Sequence, residues 1–194
     1  MPRTPLQFQA VREERRALIL QAALRVFAHH GFASATVRQV AQEAGIAQGL
    51  LYSYFASKEA VLRAIMEESM RDVLESFTEA HAGTSSEAQL ELLLRHSFVL
   101  IDQHRDFWRL SYSVRMQPEV LAQLGEAITG WITAITSTLE EHLSALDYAD
   151  PAIGARMLFA QIDGVAQHYT LDPEGYPLAR VLDAMVAQYA RRRH

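Results

Sequence analysis

The chain has 194 residues, of which 49% are apolar, so it is long and apolar enough to build a sizeable core and is not a disordered chain. Its 9 glycines and 6 prolines are few, which argues against turn-dense all-β architectures. The absence of cysteine excludes disulfide bonds, thiolate metal sites and cysteine nucleophiles.

The formal net charge of −5 is distributed unevenly along the sequence. Residues 1–58 carry a net charge of +4, whereas residues 59–194 carry −9. Because salt screens charges beyond about 10 Å, a basic segment still attracts phosphate when the whole chain is acidic. Chance clustering explains the asymmetry equally well, so charge alone does not establish that the basic segment binds nucleic acid, and local motifs have to decide between the two interpretations.

The first helix is predicted from about Val11 to His30, and Gly31 ends it. Its apolar residues recur with helical spacing, and Arg25 and two histidines interrupt the short apolar run at 18–24 that a signal peptide would need. No stretch reaches the roughly 18 uninterrupted apolar residues of a membrane span. We therefore expect a cytoplasmic protein with no membrane partner.

Residues 36–55 are predicted to form two short helices joined by a turn at Gly45. Thr36 has the spacing of a capping box with a glutamine three residues later, which starts the first of these helices. In the second helix Leu51 and Phe55 share one face, and the opposite face centres on Gly49 and Ser53. This is the helix-turn-helix arrangement, whose second helix enters the DNA major groove, although similar hairpins also occur in all-helical proteins.

The rest of the sequence keeps the helical period and shows no alternating strand pattern, so we predict an all-α fold of about nine helices. The predicted starts of the later helices are Ser57 for the fourth, the end of the loop at 82–86 for the fifth, Asp106 for the sixth, Pro118 for the seventh, Asp150-Pro151 for the eighth and Pro177 for the ninth. We expect an apolar stripe from Leu62 to Phe77 in the fourth helix. In the seventh helix we expect a second apolar stripe, which includes Leu121 and Ile132.

Residues 31–59 read GFASATVRQVAQEAGIAQGLLYSYFASKE, and this stretch resembles the DNA-binding region of the tetracycline-repressor (TetR) family. The resemblance covers about residues 12–60, and the later helices are similar to that family only in number, length and order. It implies a homodimeric bacterial transcription factor, usually a repressor, that binds a palindromic double-stranded DNA operator and a small-molecule inducer, with no cofactor and no metal. The implied domains are 1–57 for DNA binding and 58–194 for ligand binding and dimerisation.

Positions that match the family's DNA contacts are implied in and around the second short helix. Thr36 matches a phosphate contact, Arg38 a base-reading arginine of some members, and Lys58 a contact to the DNA backbone. The full implied set is Thr36, Arg38, Gln48, Gly49, Leu50, Tyr52, Ser53, Tyr54 and Lys58. Two residues depart from the family's usual pattern. Ala47 stands where a serine is often found, which removes a helix cap worth about 1 kcal/mol, and Leu50 replaces the usual small or hydroxylated residue.

The chemistry of these side chains leaves alternatives open. Arg38 either donates two hydrogen bonds to guanine or is a surface charge near Glu43. Lys58, the only lysine, starts a helix, where a cation opposes the helix dipole. It therefore either holds a phosphate or is an ordinary solvated side chain. Leu50 either contacts a thymine methyl group or shields the hairpin. Tyr52 and Tyr54 either contact DNA or are packing residues within the fold.

The resemblance implies an inducer pocket within the fifth to eighth helices. The candidate pocket residues are Phe98, Trp108, Tyr112, Trp131, Phe159 and Asp163. Aromatic residues at helical spacing are more often core than pocket, but tryptophan and tyrosine carry a polar atom that needs a partner when buried. Asp163 either binds a donor on the ligand or is neutralised by Arg156 or another neighbour. The acidic body favours a neutral or cationic ligand over an anionic acyl-coenzyme ligand.

The last two helices are the implied dimer elements, and their small residues allow close helix approach. The candidate interface residues are Gly154, Met157, Gln161, Gly164, Leu178, Leu182, Met185 and Tyr189. Two subunits would present their DNA-reading helices about 34–36 Å apart, to successive major grooves. The terminal run Arg191–Arg193 either favours its helix C-terminus electrostatically or contacts phosphate.

Two other function classes compete with this interpretation. An enzyme is disfavoured because the sequence has no glycine-rich phosphate loop, no G-x-S-x-G and no H-E-x-x-H motif. The 8 histidines are scattered, so a metal role for His96, His104 or His168 lacks ligand spacing. The second competitor is a DNA-organising protein with the same DNA-reading helices and no small-molecule control.

Overall fold

The computed structural model describes residues 5–78 and 85–190, and within these ranges the chain forms nine α-helices and no strand. The helices are α1 (Pro5–His30), α2 (Val37–Glu43), α3 (Gln48–Tyr52), α4 (Lys58–Thr78), α5 (Ser86–Gln103), α6 (Arg105–Val114), α7 (Pro118–Ser144), α8 (Pro151–Leu171) and α9 (Leu178–Ala190). The predicted all-α fold is confirmed. The predictions for the Phe77 side chain, for loop residues 82–84 and for Arg191–Arg193 lie outside the described residues.

Local sequence signals set most helix starts as predicted. The capping box of α2 is present: the Gln39 N–H donates to Thr36 Oγ1 at 3.2 Å, and the Thr36 N–H donates to Gln39 Oε1 at 2.8 Å. Ser57 and Asp150 cap α4 and α8 with side-chain oxygens 3.2 and 3.1 Å from backbone nitrogens. Gly45, at φ 65°, makes the turn between α2 and α3 in a conformation that favours glycine.

Two helix boundaries differ from the predicted ones. Helix α1 begins at Pro5, well before Val11, because proline is tolerated in the first turn of a helix. Helix α3 is only 5 residues long and ends at Tyr52, so it does not reach Phe55. No side chain caps the start of α3 at Ala47, as expected from the missing serine.

Helix α1 joins the three N-terminal helices to the rest of the chain. It packs against α2, α4 and α6, and its buried residues include Ile19, Leu20, Ala22, Ala23, Val26 and Phe27. Two ion pairs reinforce this packing, Arg25–Glu43 at 2.8 Å to α2 and Arg16–Glu68 at 3.2 Å to α4. The orientation of α2 and α3 is therefore tied to α4 and α6 through α1.

Helices α4 to α9 form the larger part of the fold. Helices α7 and α8 pack along each other, α5 packs against α8 and α9, and α6 packs against α8. The predicted stripe of α7 is partly wrong, because Leu121 and Ile132 are 41% and 40% exposed and Val120 is buried instead. Ile132 borders the cavity described below. Leu121 is exposed because the neighbouring Val120 takes the buried position at this point of α7. Among the described helices, none is both long and apolar enough to cross a membrane.

Candidate functional site

Helix α3 buries one side and exposes the other. Leu51 is fully buried and Phe55 is 7% exposed, so these two residues fix α3 against the core. The opposite side is exposed, and we call its residues the recognition face: Gln48, Gly49, Tyr52 and Ser53. The Tyr52 side chain is 49% exposed, which is a large fraction for an aromatic residue. The orientation of α3 is the one that the helical projection predicted.

The recognition face has little role in holding the fold together. In the described part of the chain, the side chains of Gln48 and Tyr52 form no hydrogen bond or ion pair, and Ser53 Oγ donates only to the Leu50 carbonyl, at 2.7 Å. A Cβ atom built at Gly49 would meet no atom within 4 Å, so packing within the chain does not require glycine there. Leu50 is half-buried at the edge of this face. The face is therefore available to a partner.

Beside this face, Arg38 is exposed and available. Its predicted neighbour Glu43 accepts a hydrogen bond from Arg25 at 2.8 Å, and Arg38 has no partner among residues 5–78 and 85–190. The Thr36 hydroxyl donates to the side chain of Gln39 at 2.9 Å within the capping box. The Tyr54 ring is half-buried and lies 5.4 Å from the Arg12 guanidinium. Of the flanking residues, Arg38 is the most accessible for contact with a base.

Lys58 lies in a setting that neither sequence interpretation anticipated. Its ammonium donates to the carbonyl oxygens of Phe32, Ala33 and Ala35 at 2.8, 3.2 and 3.1 Å. It also lies 4.6 Å from the centroid of the Phe32 ring. The three N–H donors are used within the chain, so the ammonium is neither an ordinary solvated charge nor open to a phosphate in this structure. Lys58 instead holds the segment before α2 against the start of α4.

A cavity of about 100 Å³ lies among α4 to α8, and we call it the pocket. Its lining includes Met66, Met70, Val73, Leu100, Ile101, Trp108, Tyr112, Arg115, Ile128, Trp131, Ile132, Ile135, Phe159, Ile162, Asp163 and Ala166. Five of the six predicted pocket residues belong to this lining. The sixth, Phe98, is not part of the lining: its side chain is 2% exposed in the core, and its ring lies 6.5 Å from the Tyr169 ring.

The partner of Asp163 is Arg115, a residue that the sequence analysis missed. Two guanidinium nitrogens of Arg115 donate to the two carboxylate oxygens, each at 2.7 Å, so a neighbour does neutralise Asp163, and that neighbour is Arg115 and not Arg156. The hydrogen bonds to Asp163 raise the pKa of Arg115, and burial raises the pKa of Tyr112, whose hydroxyl is therefore neutral. An aspartate inside an apolar helix was the signal that a nearby cation was needed.

Two helices connect the pocket with the N-terminal helices. Helix α4 begins at Lys58 against the segment before α2, and further along it contributes Met66 and Met70 to the pocket. Helix α6 contributes Trp108 and Tyr112, and it also packs against α1. A change in the pocket therefore has two direct structural routes to α2 and α3.

The predicted dimer residues divide into two groups. Four of them are buried inside the same chain: Gly154, Leu182, Met185 and Tyr189. Gly154 lies under the Tyr148 ring, where a Cβ atom would come within 2.7 Å of a ring carbon, and Leu182 and Tyr189 lie in the core where α9 packs against α5. The remaining four are partly or fully accessible: Met157, Gln161, Gly164 and Leu178.

Two of the accessible residues, Gln161 and Gly164, line an open groove between α8 and α9, and the largely buried Met185 also contributes to it. Its lining includes Ala160, Gln161, Gly164, Val181, Ala184 and Gln188. Met157 and Ile153, one and two turns before Gln161 on α8, are 43% and 52% exposed. We call this groove, with Ile153 and Met157, the α8–α9 face. Apolar and polar side chains both line it, and the described part of the chain leaves the apolar side chains of Ile153 and Met157 exposed.

The three histidines considered as metal ligands lie apart. His96, His104 and His168 are all exposed, and His168 stacks on the Tyr176 ring at 6.4 Å. In residues 5–78 and 85–190, no three histidine, aspartate or glutamate side chains are grouped so that they could hold a metal ion.

Comparison with known proteins relates the N-terminal helices to one family. Residues 19–65 match the family described as bacterial regulatory proteins, tetR family. The chain is 23% identical over 174 residues to the fatty acid metabolism regulator protein of Bacillus subtilis (strain 168), an alignment that covers 87% of this chain and 90% of that protein.

Two solved structures have the same fold over most of the chain. The transcriptional regulator FadR from Bacillus subtilis, in complex with stearoyl-CoA, aligns with a TM-score of 0.74 and 21% identity, covering 92% of this chain and 99% of that one. The SmeT–triclosan complex aligns with a TM-score of 0.71 and 25% identity, covering 90% of this chain and 91% of that one.

Proposed function

Because the chain belongs to the tetR family of bacterial transcriptional regulators, we propose that it is a homodimer that binds a palindromic operator and represses transcription until a small molecule releases it. The relatives are regulators, so this chain is a regulator and not an enzyme. In the proposal, residues 1–57 bind DNA and residues 58–194 bind the ligand and the second subunit. A regulator of this kind acts on the chromosome, and we infer a cytoplasmic location.

The observation that carries the proposal is the exposure of the recognition face on the second helix of the helix-turn-helix. Gln48 and Tyr52 offer polar atoms for base edges, and Gly49 lets the α3 backbone approach the groove closely. Arg38 lies beside them without an ion-pair partner among the described residues and can donate two hydrogen bonds to guanine. The net charge of +4 over residues 1–58 favours the approach of phosphate.

Ligand control is supported by the position of the pocket. Its walls include α4 and α6, which both contact the N-terminal helices. A ligand that binds better to one arrangement of α4 and α6 shifts the population toward that arrangement, and α2 and α3 move with it. Two solved structures with the same fold are described as complexes with small molecules, one with stearoyl-CoA and the other with triclosan.

Dimerisation is supported by the α8–α9 face. Met157 presents an exposed apolar side chain, and a Cβ atom at Gly164 would meet nothing within 4 Å, so a second helix has room to approach. Gln161 donates to Gln188 at 3.3 Å, but its buried Oε1 has no donor in the described part of the chain. A second subunit across this face would cover the apolar area and supply that donor.

Sedimentation of matched variants tests the dimer. Met157→Glu places a charge on the α8–α9 face, whereas Leu121→Glu places the same charge at a similarly exposed apolar position on α7. We expect Met157→Glu to shift the protein toward monomer at micromolar concentration and Leu121→Glu to leave the dimer intact. A wild-type monomer, or dimers of equal stability in both variants, would contradict the proposed interface.

Selection from random DNA tests the regulator as a whole. Purified protein is expected to enrich one two-fold symmetric sequence, with half-sites centred about one helical turn apart. Enrichment of many unrelated sites would favour the DNA-organising protein, and no enrichment would contradict sequence-specific binding. Addition of a ligand that occupies the pocket should then weaken binding to the selected site.

A further inference from the structure

Trp108 has a buried hydrogen-bond donor without an acceptor. The residue lines the pocket, and its indole Nε1–H has no hydrogen-bond partner among the described residues. The indole is fixed on two sides by aromatic rings, with centroids 5.2 Å from Phe107 and 5.9 Å from Tyr112. A buried donor without a partner carries a desolvation cost, which an acceptor on a ligand would relieve.

The charges of the pocket cancel each other. Arg115 and Asp163 are the only charged residues of the described lining, and they form a pair with two hydrogen bonds of 2.7 Å. Gln167 donates a further hydrogen bond to Asp163 at 3.2 Å, and the Arg115 guanidinium also lies 4.8 Å from the Tyr112 ring. Neither charge is therefore free to neutralise a charged ligand, and a buried ligand charge would be costly.

The rest of the lining limits ligand shape. Apart from the charged pair and two serines, Ser97 and Ser111, the walls consist of aliphatic side chains and of the aromatic rings of Trp108, Tyr112, Trp131 and Phe159. The cavity of about 100 Å³ has the order of size of an engineered cavity of about 150 Å³ that binds benzene. A compact ring therefore suits the space better than an extended chain.

We propose that the pocket takes a neutral, compact aromatic or cyclic molecule with a hydrogen-bond acceptor that binds the indole N–H of Trp108. This inference rests on the proposed function, because it identifies the chemical class of the inducer. It narrows the ligand to uncharged molecules, and it distinguishes this pocket from one for an anionic acyl-coenzyme.

Four probes of similar size separate the contributions of shape, acceptor and charge. Acetophenone is neutral and has a carbonyl acceptor, and isopropylbenzene has nearly the same shape without the acceptor. Benzoate and benzylammonium carry a negative and a positive charge. We expect acetophenone to bind the full-length protein about tenfold more tightly than isopropylbenzene, equivalent to about 1.4 kcal/mol, and at least as much more tightly than either ion.

Two substitutions assign the preference to one indole. Trp108→Phe keeps an aromatic ring and removes the N–H, so the affinity ratio of acetophenone to isopropylbenzene should fall to about one. Trp131→Phe is the matched control at the other tryptophan of the lining, and it should lower both affinities while the ratio stays about tenfold. Because the readout is a ratio within each variant, a general loss of stability does not produce it.

Nuclear magnetic resonance gives a second readout in the unmodified protein. The chain has 2 tryptophans, and both line the pocket, so its spectrum contains two indole N–H signals that the Trp131→Phe variant assigns. Acetophenone should shift the Trp108 signal downfield, as expected for a new hydrogen bond, and isopropylbenzene should not.

The inference is overturned if acetophenone fails to bind or binds no more tightly than isopropylbenzene. It is also overturned if benzoate, benzylammonium or stearoyl-CoA binds as tightly as acetophenone, or if the ratio survives Trp108→Phe. These outcomes concern binding alone, whereas the proposed function is judged by release of the selected DNA. A charged ligand that releases DNA would therefore overturn the inference and leave the proposed function standing.

Discussion

The guanidinium of Arg115, at the C-terminal cap of α6, donates hydrogen bonds of 2.7 Å to both carboxylate oxygens of Asp163 in α8. The two side chains are 27% and 22% exposed, so water screens their charges only in part. The pair links two helices at the wall of the pocket and leaves that wall without net charge.

Replacing Asp163 with asparagine should destabilise the fold. The substitution leaves the guanidinium of Arg115 partly buried without its counter-charge, and we expect a loss of about 1–3 kcal/mol in the free energy of unfolding. Urea unfolding measures this loss. Asp183→Asn is the matched control, because Asp183 pairs with Arg95 at the same distance of 2.7 Å but is 64% exposed. The control should lose at most about 1 kcal/mol, and equal losses in both variants would contradict the structural role of the Arg115–Asp163 pair.

Replacing Gly49 with alanine should separate folding from DNA binding. A Cβ atom at Gly49 or at Gly130 meets nothing within 4 Å in the free protein, and both residues are helical and exposed. Each substitution should therefore leave stability unchanged or raise it by up to about 1 kcal/mol. Only Gly49→Ala should weaken binding to the selected DNA, because only α3 approaches a base edge.

Fluorescence anisotropy with the selected DNA, together with thermal unfolding, checks both parts of this prediction. Gly130→Ala, in the middle of α7, serves as the control for the general effect of adding a methyl group to a helix. If Gly49→Ala and Gly130→Ala bound DNA equally well, the close approach of α3 to the groove would be wrong.

Replacing Lys58 with methionine should act through the fold. The three carbonyl oxygens that the ammonium holds would lose a charged donor, and we expect a loss of about 1–3 kcal/mol in the free energy of unfolding. Below the unfolding transition, the salt dependence of DNA affinity should stay that of the wild type, because no phosphate contact is removed.

Arg38→Ala provides the contrast to the Lys58 variant. It should leave stability unchanged, because Arg38 is exposed and has no ion pair in the described chain, and it should relax specificity at one base pair by about 1–3 kcal/mol. If the slope of log affinity against log salt concentration decreased by about one in Lys58→Met, with unchanged stability, the result would support the phosphate contact of Lys58 that the family resemblance implies.

His142 should make stability decrease at mildly acidic pH. Burial lowers the pKa of His142, so the folded state favours the neutral imidazole. Its contribution is therefore fully present above its unfolded pKa of about 6.5 and is lost as the pH falls through the lowered folded pKa. Urea unfolding at about pH 7.5 and 5.5 should show a smaller decrease in His142→Gln than in the wild type. The same decrease in both proteins would contradict this assignment.

The sequence was sufficient where local chemistry decides the structure. The capping box of Thr36 and Gln39, the caps at Ser57 and Asp150, and the turn at Gly45 depend on neighbouring residues only. The exposed side of α3 was predicted from a helix that carries both Leu51 and Phe55; both residues are buried, although α3 ends before Phe55.

The errors occurred where distant segments meet. The partner of Asp163 lies 48 residues away in the sequence, and the acceptors of Lys58 lie 23 to 26 residues before it. The apolar stripe of α9 was correctly seen, but spacing does not tell whether Leu182 and Tyr189 face their own core or a second subunit. That choice depends on the packing of α9 against α5, for which the sequence offers no local signal.

Protection of Tyr52 by DNA tests the central claim most directly. Tyr52 is 49% exposed in the free protein, and Met116, an oxidisable residue on the loop before α7, is 77% exposed. Hydroxyl-radical oxidation followed by mass spectrometry should show Tyr52 strongly protected by the selected DNA and Met116 unchanged. If Tyr52 were oxidised equally with and without bound DNA, the assignment of the recognition face would be contradicted.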